Sequence, residues 1–356
     1  MKNHWMKNFT AIALIAIALV SCKKETKTIT KVDPETGKTI TVEVPVEDSA
    51  QAATAVMQEA AIKDSLGVYR QSFKLKVGST YPLTTYQKDV QTMTAPDGKA
   101  QSGTSESTDE MTFTVNKFEN GVYDITINLL AKKNSQAANG KTISVDTKQA
   151  EPKEEQLKMM YKVNKALVGN KLSLKMKENG EVVSITGFDP IYTKVTAAAG
   201  SLIKDAKQKT AFTQSFKESF NERILKDQFT KNLLLIPAKG VKLGEKWTQS
   251  ENATPDGKVK LSTTYTLKSV DNGVAVITVA GGIPKKSDKK TQEGITRSMS
   301  SELTQNGTVT LDQMSGWIKN QTIAVKTSQS ETLSDGKQSQ TMKSVSNSTV
   351  VVNPAK

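Results

Sequence analysis

This 356-residue sequence has one cysteine, Cys22, and one histidine, His4, so beyond position 22 there is no imidazole and no thiol. That lack excludes Ser-His-Asp and Cys-His nucleophile systems and Cys/His zinc sites from the rest of the chain. It also excludes a disulfide within one chain. Neither a metal nor a cofactor is expected. Aromatic residues make up only 5%, and no basic stripe is interleaved with them, which argues against nucleic acid as a partner. The one apolar run, within residues 8 to 20, is shorter than the roughly 20 residues that a membrane-spanning helix needs. Carboxylate chemistry stays open, because a glycosidase needs only two positioned Asp or Glu residues. With 36 acidic residues, spacing singles out no pair. The expectation is a protein that is not an enzyme, with a histidine-free carboxylate glycosidase as an alternative.

What is present begins with an address. Lys2 and Lys7 precede the apolar run, which ends in Leu19-Val20-Ser21-Cys22, and this order resembles the lipobox of bacterial lipoproteins. The resemblance implies that residues 1–21 are a signal peptide and that Cys22 carries a diacylglyceryl thioether and an amide-linked acyl chain such as palmitate. At about 0.8 kcal/mol per buried methylene, several acyl chains hold a protein at a membrane without any segment crossing it. The familiar inner-membrane retention residue is Asp after the cysteine; here it is Lys23. The outer membrane is therefore expected, its periplasmic or surface face undecided, although Lys23-Lys24-Glu25 is similar to surface-export signals of Bacteroidota. Loss of Lys2 and Lys7 with the leader lowers the formal charge from +13 to +11. So basic a chain suits an anionic partner, whether glycan, lipid headgroup or envelope protein, and suits a merely solvated lysine-rich face equally.

Residues 22–66 read as an anchor-proximal stalk. Thr28–Val32 and Thr39–Val44 alternate around the turn-rich Asp33-Pro34-Glu35-Thr36-Gly37, predicting a weak hairpin, and Ala-rich sequence from Ser49 to about Leu66 predicts a helix. Asp48-Ser49-Ala50 and Asp64-Ser65-Leu66 resemble an O-glycosylation acceptor of Bacteroidota, which makes Ser49 and Ser65 candidates. Asp-Ser is equally an ordinary helix cap.

The body, 67–353, contains an internal duplication. Val77-Gly78-Ser79-Thr80-Tyr81, Pro96-Asp97-Gly98 and Asn120-Gly121-Val122 return in the same order as Leu243-Gly244-Glu245-Lys246-Trp247, Pro255-Asp256-Gly257 and Asn272-Gly273-Val274. The two copies span about 73–188 and 241–327. Pro-Asp-Gly and Asn-Gly between alternating, β-branched flanks are hairpin turns. A weaker echo pairs a hairpin at Asn179-Gly180 with one at Ser315-Gly316, and Val350-Val351-Val352 reads as a closing strand. Helices are predicted over Glu154–Val168, from Asp189-Pro190 to Ala199, and from about Thr210 to Leu235 before Pro237. In the last, Phe212, Phe216 and Phe220 fall four apart, the spacing of a packed face or of a lid over an apolar cavity. The fold class is α+β and mostly antiparallel β: duplicated hairpin units in a curved sheet or half-barrel, with a central helical insertion at about 189–236.

Gly281-Gly282-Ile283-Pro284-Lys285-Lys286-Ser287-Asp288-Lys289-Lys290 lacks the order of a phosphate-binding loop and reads as a solvated basic loop. Lys285, Lys286, Lys289 and Lys290 are weak candidates for an anionic contact. Trp247 and Trp317 occupy strand-like positions and read as core residues, or as ligand platforms if exposed. Lipobox, Gly-x-x-Trp/Tyr strand start, Asn-Gly-Val hairpin and central helices together resemble a domain-of-unknown-function family of Bacteroidota outer-membrane lipoproteins. That resemblance implies location and a β-rich shape and transfers no active site. The function expected is a lipid-anchored, non-catalytic binding or structural module, with a lipid or lipoprotein carrier of half-barrel type as the other alternative.

Overall fold

The computed structural model describes residues 26–32, 39–45, 59–254 and 256–354. The leader, Cys22 and Ser49 lie outside the described residues. The chain divides into two compact units at Gln58/Glu59. In the first, β1 (Thr26–Val32) and β2 (Thr39–Pro45) pair antiparallel, Thr26 opposite Pro45 and Val32 opposite Thr39.

The second unit opens with a short hairpin, β3 (Ile62–Ser65) and β4 (Val68–Gln71). The first repeat copy follows as β5 (Thr80–Thr94), β6 (Ala100–Glu119), β7 (Val122–Ala138), β8 (Lys141–Asp146), helix α1 (Glu155–Leu167), β9 (Lys171–Lys177) and β10 (Val182–Thr186). Helices α2 (Phe188–Gly200), α3 (Ala206–Ser219) and α4 (Glu222–Leu233) form the insertion. The second copy is β11 (Lys246–Asn252), β12 (Lys260–Asp271), β13 (Val274–Gln292), β14 (Ile295–Asp312) and β15 (Ile318–Ser334), and β16 (Ser339–Val352) ends the order.

Twelve of these strands make one open, curved antiparallel sheet, ordered β10-β9-β7-β6-β5-β16-β15-β14-β13-β12-β11, with β8 on the outer part of β7. The two copies lie in tandem in the same strand order, and β16 is inserted between the first strand of one and the last of the other. The equivalence reaches single hydrogen bonds. Gly78 N donates to Val115 O at 2.8 Å, and its counterpart Gly244 N donates to Leu267 O at 2.7 Å.

The strands are longer than the core they serve. The main core lies at the ends near the Asn-Gly turns, here called the base: Phe113 and Val115 on β6, Tyr123, Ile125 and Ile127 on β7, Ala275, Ile277 and Val279 on β13, while Val145 of β8 forms a small second cluster with Leu157 and Tyr161 of α1. Trp317 joins the copies there, its ring 5.0 Å from Phe113, 5.4 Å from Tyr81 and 6.4 Å from Phe73, with Nε1 donating to Pro82 O. On the concave side α4 presses Leu225, Phe229 and Leu233 into this core, and Phe229 meets Phe113 edge-on at 5.3 Å. The β3–β4 hairpin closes the base. Its Gln71 is buried and fully bonded, donating to Leu233 O and Gly316 O and accepting from Leu235 N and Ile236 N.

Four local expectations differ from what is found. Within the described residues, the helix expected to reach Leu66 is replaced by β3, because Ala61 N and Ile62 N donate to Met314 O and Gln313 O and bury Ile62. The single helix expected over Thr210–Leu235 breaks at Phe220-Asn221, where Asn221 caps α4 by accepting from Ile224 N. Its phenylalanines are not a lid: Phe212, Phe216 and Phe220 stack in a row, with Phe188 of α2 edge-on to Phe220 and Tyr192 edge-on to Phe216, at the margin of the core. The basic loop at Gly281–Lys290 is the outer half of β13, paired with β14 out to Gln292 opposite Ile295.

Glycine explains why that segment is a strand at a bend. A Cβ on Gly281 would lie 2.1 Å from Ser262 O, one on Gly282 2.0 Å from Leu303 O, and one on Gly307 2.1 Å from Thr322 O. These three adjacent positions on β13 and β14 let neighbouring backbones close in, which is how sheets turn a corner.

Candidate functional site

Two cavities on one face of the curved sheet together form a trough. Its floor follows from register: Ile323 lies opposite Gly307 and Val350, Glu331 opposite Met299 and Met342, and Ser344 opposite Met93. Side chains directly opposite share a face and alternate along each strand. Val350, Ser348, Ser346, Ser344 and Met342 therefore line one track, about 27 Å long at ~3.4 Å per residue.

Two cavities open along this track. The inner one, about 380 Å³, is lined by Leu235, Tyr265, Val279, Val309, Ile323 and Val350, with Gln305 and Gln321 among them. Burial pushes the Tyr265 phenol up, aided by the charge of Glu251, so it stays neutral and able to donate a hydrogen bond. The outer one, about 890 Å³, is lined by Met93, Met299 and Met342 with Ser300, Ser301 and Gln329. Its rim carries both signs, Asp256, Asp288 and Glu331 against Lys258, Lys286 and Lys343. Volumes of ~300–1,000 Å³ suit drug-sized ligands, and thioether side chains adapt to irregular apolar shapes. Arg297 is bonded to Glu331 and Lys290 approaches Asp288 at 3.8 Å. Hydrogen bonds from the Thr254 hydroxyl and Lys258 N, with the Lys258 ammonium, hold the Asp256 carboxyl below its usual value. A third, smaller cavity of about 230 Å³ lies between β8 and α1, beside Ile143, Leu157 and Met160.

The residues singled out by sequence are scattered. Ser65 is exposed at the end of β3. Lys286 and Lys290 share the concave face with Asp288, Lys289 points to the opposite face, and Lys285 falls in the bulge between Ile283 and Lys286. The four lysines thus form no single patch, and Lys286 donates to Lys258 O across the outer cavity. Trp247 and Trp317 are both buried; Trp247 stacks on Tyr265 at 5.5 Å, and its Nε1 has no partner among the described residues. Neither ring offers a platform to solvent. Met93, Met299 and Met342 each interrupt a Ser/Thr-rich strand end with an apolar side chain, and that interruption is the sequence signal for them. Among the described residues no group of His, Cys, Asp and Glu could hold a metal ion, and no helix is long and apolar enough to cross a membrane.

Residues 120–318 match a family described as a family of unknown function, DUF6263. No curated protein matches the sequence. A solved structure of lipovitellin, titled for its lipid–protein interactions, aligns at 11% identity and TM-score 0.33 over 80% of this chain and 26% of that one. The chain thus spans about a quarter of the lipovitellin chain. The COG4313 outer membrane channel from Pseudomonas putida F1 aligns at 10% identity and TM-score 0.19, over 81% of this chain and 100% of its own. Pseudomonas aeruginosa OpdQ gives 7% identity and TM-score 0.14, over 75% and 69%. Scores this low establish no common fold, and nothing of those proteins' roles is carried over.

Proposed function

The chain belongs to the DUF6263 family of unknown function, and from that premise we propose that it is a lipid-anchored, non-catalytic binding module of the bacterial outer membrane. Its ligand is an elongated, largely apolar molecule lying in the concave trough. The observation that carries this reading is the trough itself: one sheet face that bears the apolar side chains of the inner cavity and the three methionines of the outer one, with Ser344, Ser346 and Ser348 between them on β16. Met93, Met299 and Met342 are each nearly half exposed on it, and thioether side chains adapt to irregular apolar shapes. The anchor at Cys22 and the Bacteroidota setting rest on the lipobox and the residues after it.

A dansyl-labelled long-chain fatty acid titrated into the protein should give saturable fluorescence. Met299→Glu with Met342→Glu should weaken that binding at least ten-fold while the thermal transition stays in place. An absence of saturable binding would overturn the reading. The carrier alternative is favoured by the same track and adds one requirement, net transfer of the probe from donor to acceptor vesicles. Intact mass of protein from its native envelope checks the anchor: Cys22 should be N-terminal and acylated.

A further inference from the structure

The duplication preserves something that its core does not need. Each copy begins with the same exposed loop at the base, Lys76-Val77-Gly78 and Lys242-Leu243-Gly244. Each is pinned by the equivalent glycine N–H described above, with φ of 82° at Gly78 and 76° at Gly244. Yet Val77 is 50% exposed and Leu243 52% exposed. Two copies that have diverged elsewhere both keep a solvated aliphatic side chain behind a solvated lysine.

A third apolar side chain joins the second loop. Tyr69 and Val241 form an antiparallel bridge, so the β3–β4 turn lies beside Leu243. At the tip of that turn Leu66 is 98% exposed and holds a left-handed φ of 56°, a conformation that disfavours a branched apolar residue. Arg70, Lys239 and Lys242 are exposed on these segments, as is Asp64, and Glu245 is half-buried. Glu245 is already engaged by Lys239 at 3.8 Å and by Lys242 N. The chain also enters this unit at the same end, where Glu59 approaches Lys74 at 3.6 Å and Ala61 N bonds Met314 O.

We propose that the base is a membrane-docking surface that sets Val77, Leu243 and Leu66 into the headgroup region of an anionic lipid bilayer, with Lys76, Lys242 and Arg70 against the phosphates. Apolar tips beside cations are the elements of interfacial lipid binding. This docking extends the function proposed above by orienting the open, methionine-lined end of the trough away from the tethering bilayer.

The test uses residues 22–356 with Cys22→Ser, so that neither acyl chains nor the apolar leader contributes. Sedimentation with phosphatidylglycerol/phosphatidylcholine vesicles should show binding at least ten-fold stronger than with phosphatidylcholine alone. Val77→Asp with Leu243→Asp, and separately Lys76→Glu with Lys242→Glu, should each reduce it at least ten-fold. Thermal unfolding and fatty-acid titration should stay unchanged. Equal binding by parent and both variants, or no preference of the parent for anionic vesicles, overturns the proposal. A failure here with the fatty-acid titration intact removes the docking surface and leaves the trough standing.

Discussion

At the scale of single residues, the base depends on Gln71. Replacing it with Leu keeps the volume and strands two backbone donors, Leu235 N and Ile236 N, and two carbonyls, Leu233 O and Gly316 O. Each unsatisfied buried group costs about 1–3 kcal/mol, so Gln71→Leu should lower stability by about 3 kcal/mol or more in urea unfolding. Sequence alone does not show this, since nothing around Gln71 in the chain marks it as buried. Trp317 lies in the turn just before β15 and is buried beside Ile318, so alternation does not account for it; Trp247, on β11, was legible as core. The lysines of β13 were not, because a run of lysines reads as solvated whether its backbone is loop or strand, and the pleat then divides them between faces.

At the scale of elements, the glycine corner makes a sharper demand than the hairpin glycines. Gly307→Val would drive its Cβ into Thr322 O and should destabilise by at least about 3 kcal/mol while abolishing fatty-acid binding, read by urea unfolding and dansyl fluorescence. Gly98→Ala is the control: a Cβ there meets nothing within 4 Å, and the left-handed φ alone should cost about 1 kcal/mol. Helices α1 and α2 were readable from their period, but the cap expected at Asp189 is not one: α2 begins at Phe188, after Gly187 at a left-handed φ of 100° and with no side-chain cap. The break between α3 and α4 was also written in the sequence, as Asn221 before Glu222, but the four-residue phenylalanine spacing runs up to it and masks it. Strand lengths were the least legible, because β6, β13 and β14 extend far past the core, where no burial pattern marks their course.

At the scale of the whole molecule, the duplication was visible as motifs, and its outcome required coordinates. Two separately closed sheets and one continuous sheet satisfy the same hairpins; what decides between them is β16 and the ring of Trp317 among residues of the first copy. Trp317→Ala should therefore weaken both halves together, with a loss of about 3–5 kcal/mol in chemical unfolding followed by circular dichroism.

The placement of β16 also dictates timing. The seam between the two copies is sewn by residues 339–352, which leave the ribosome and any export channel after all the other strands described. Until they arrive, β5 and β15 each present a raw margin of unpaired backbone, the kind of border that neighbouring molecules stick to. A product cut short before Ser339 should accumulate as aggregate, whereas supplying the missing fourteen residues as a separate peptide during refolding should recover soluble protein.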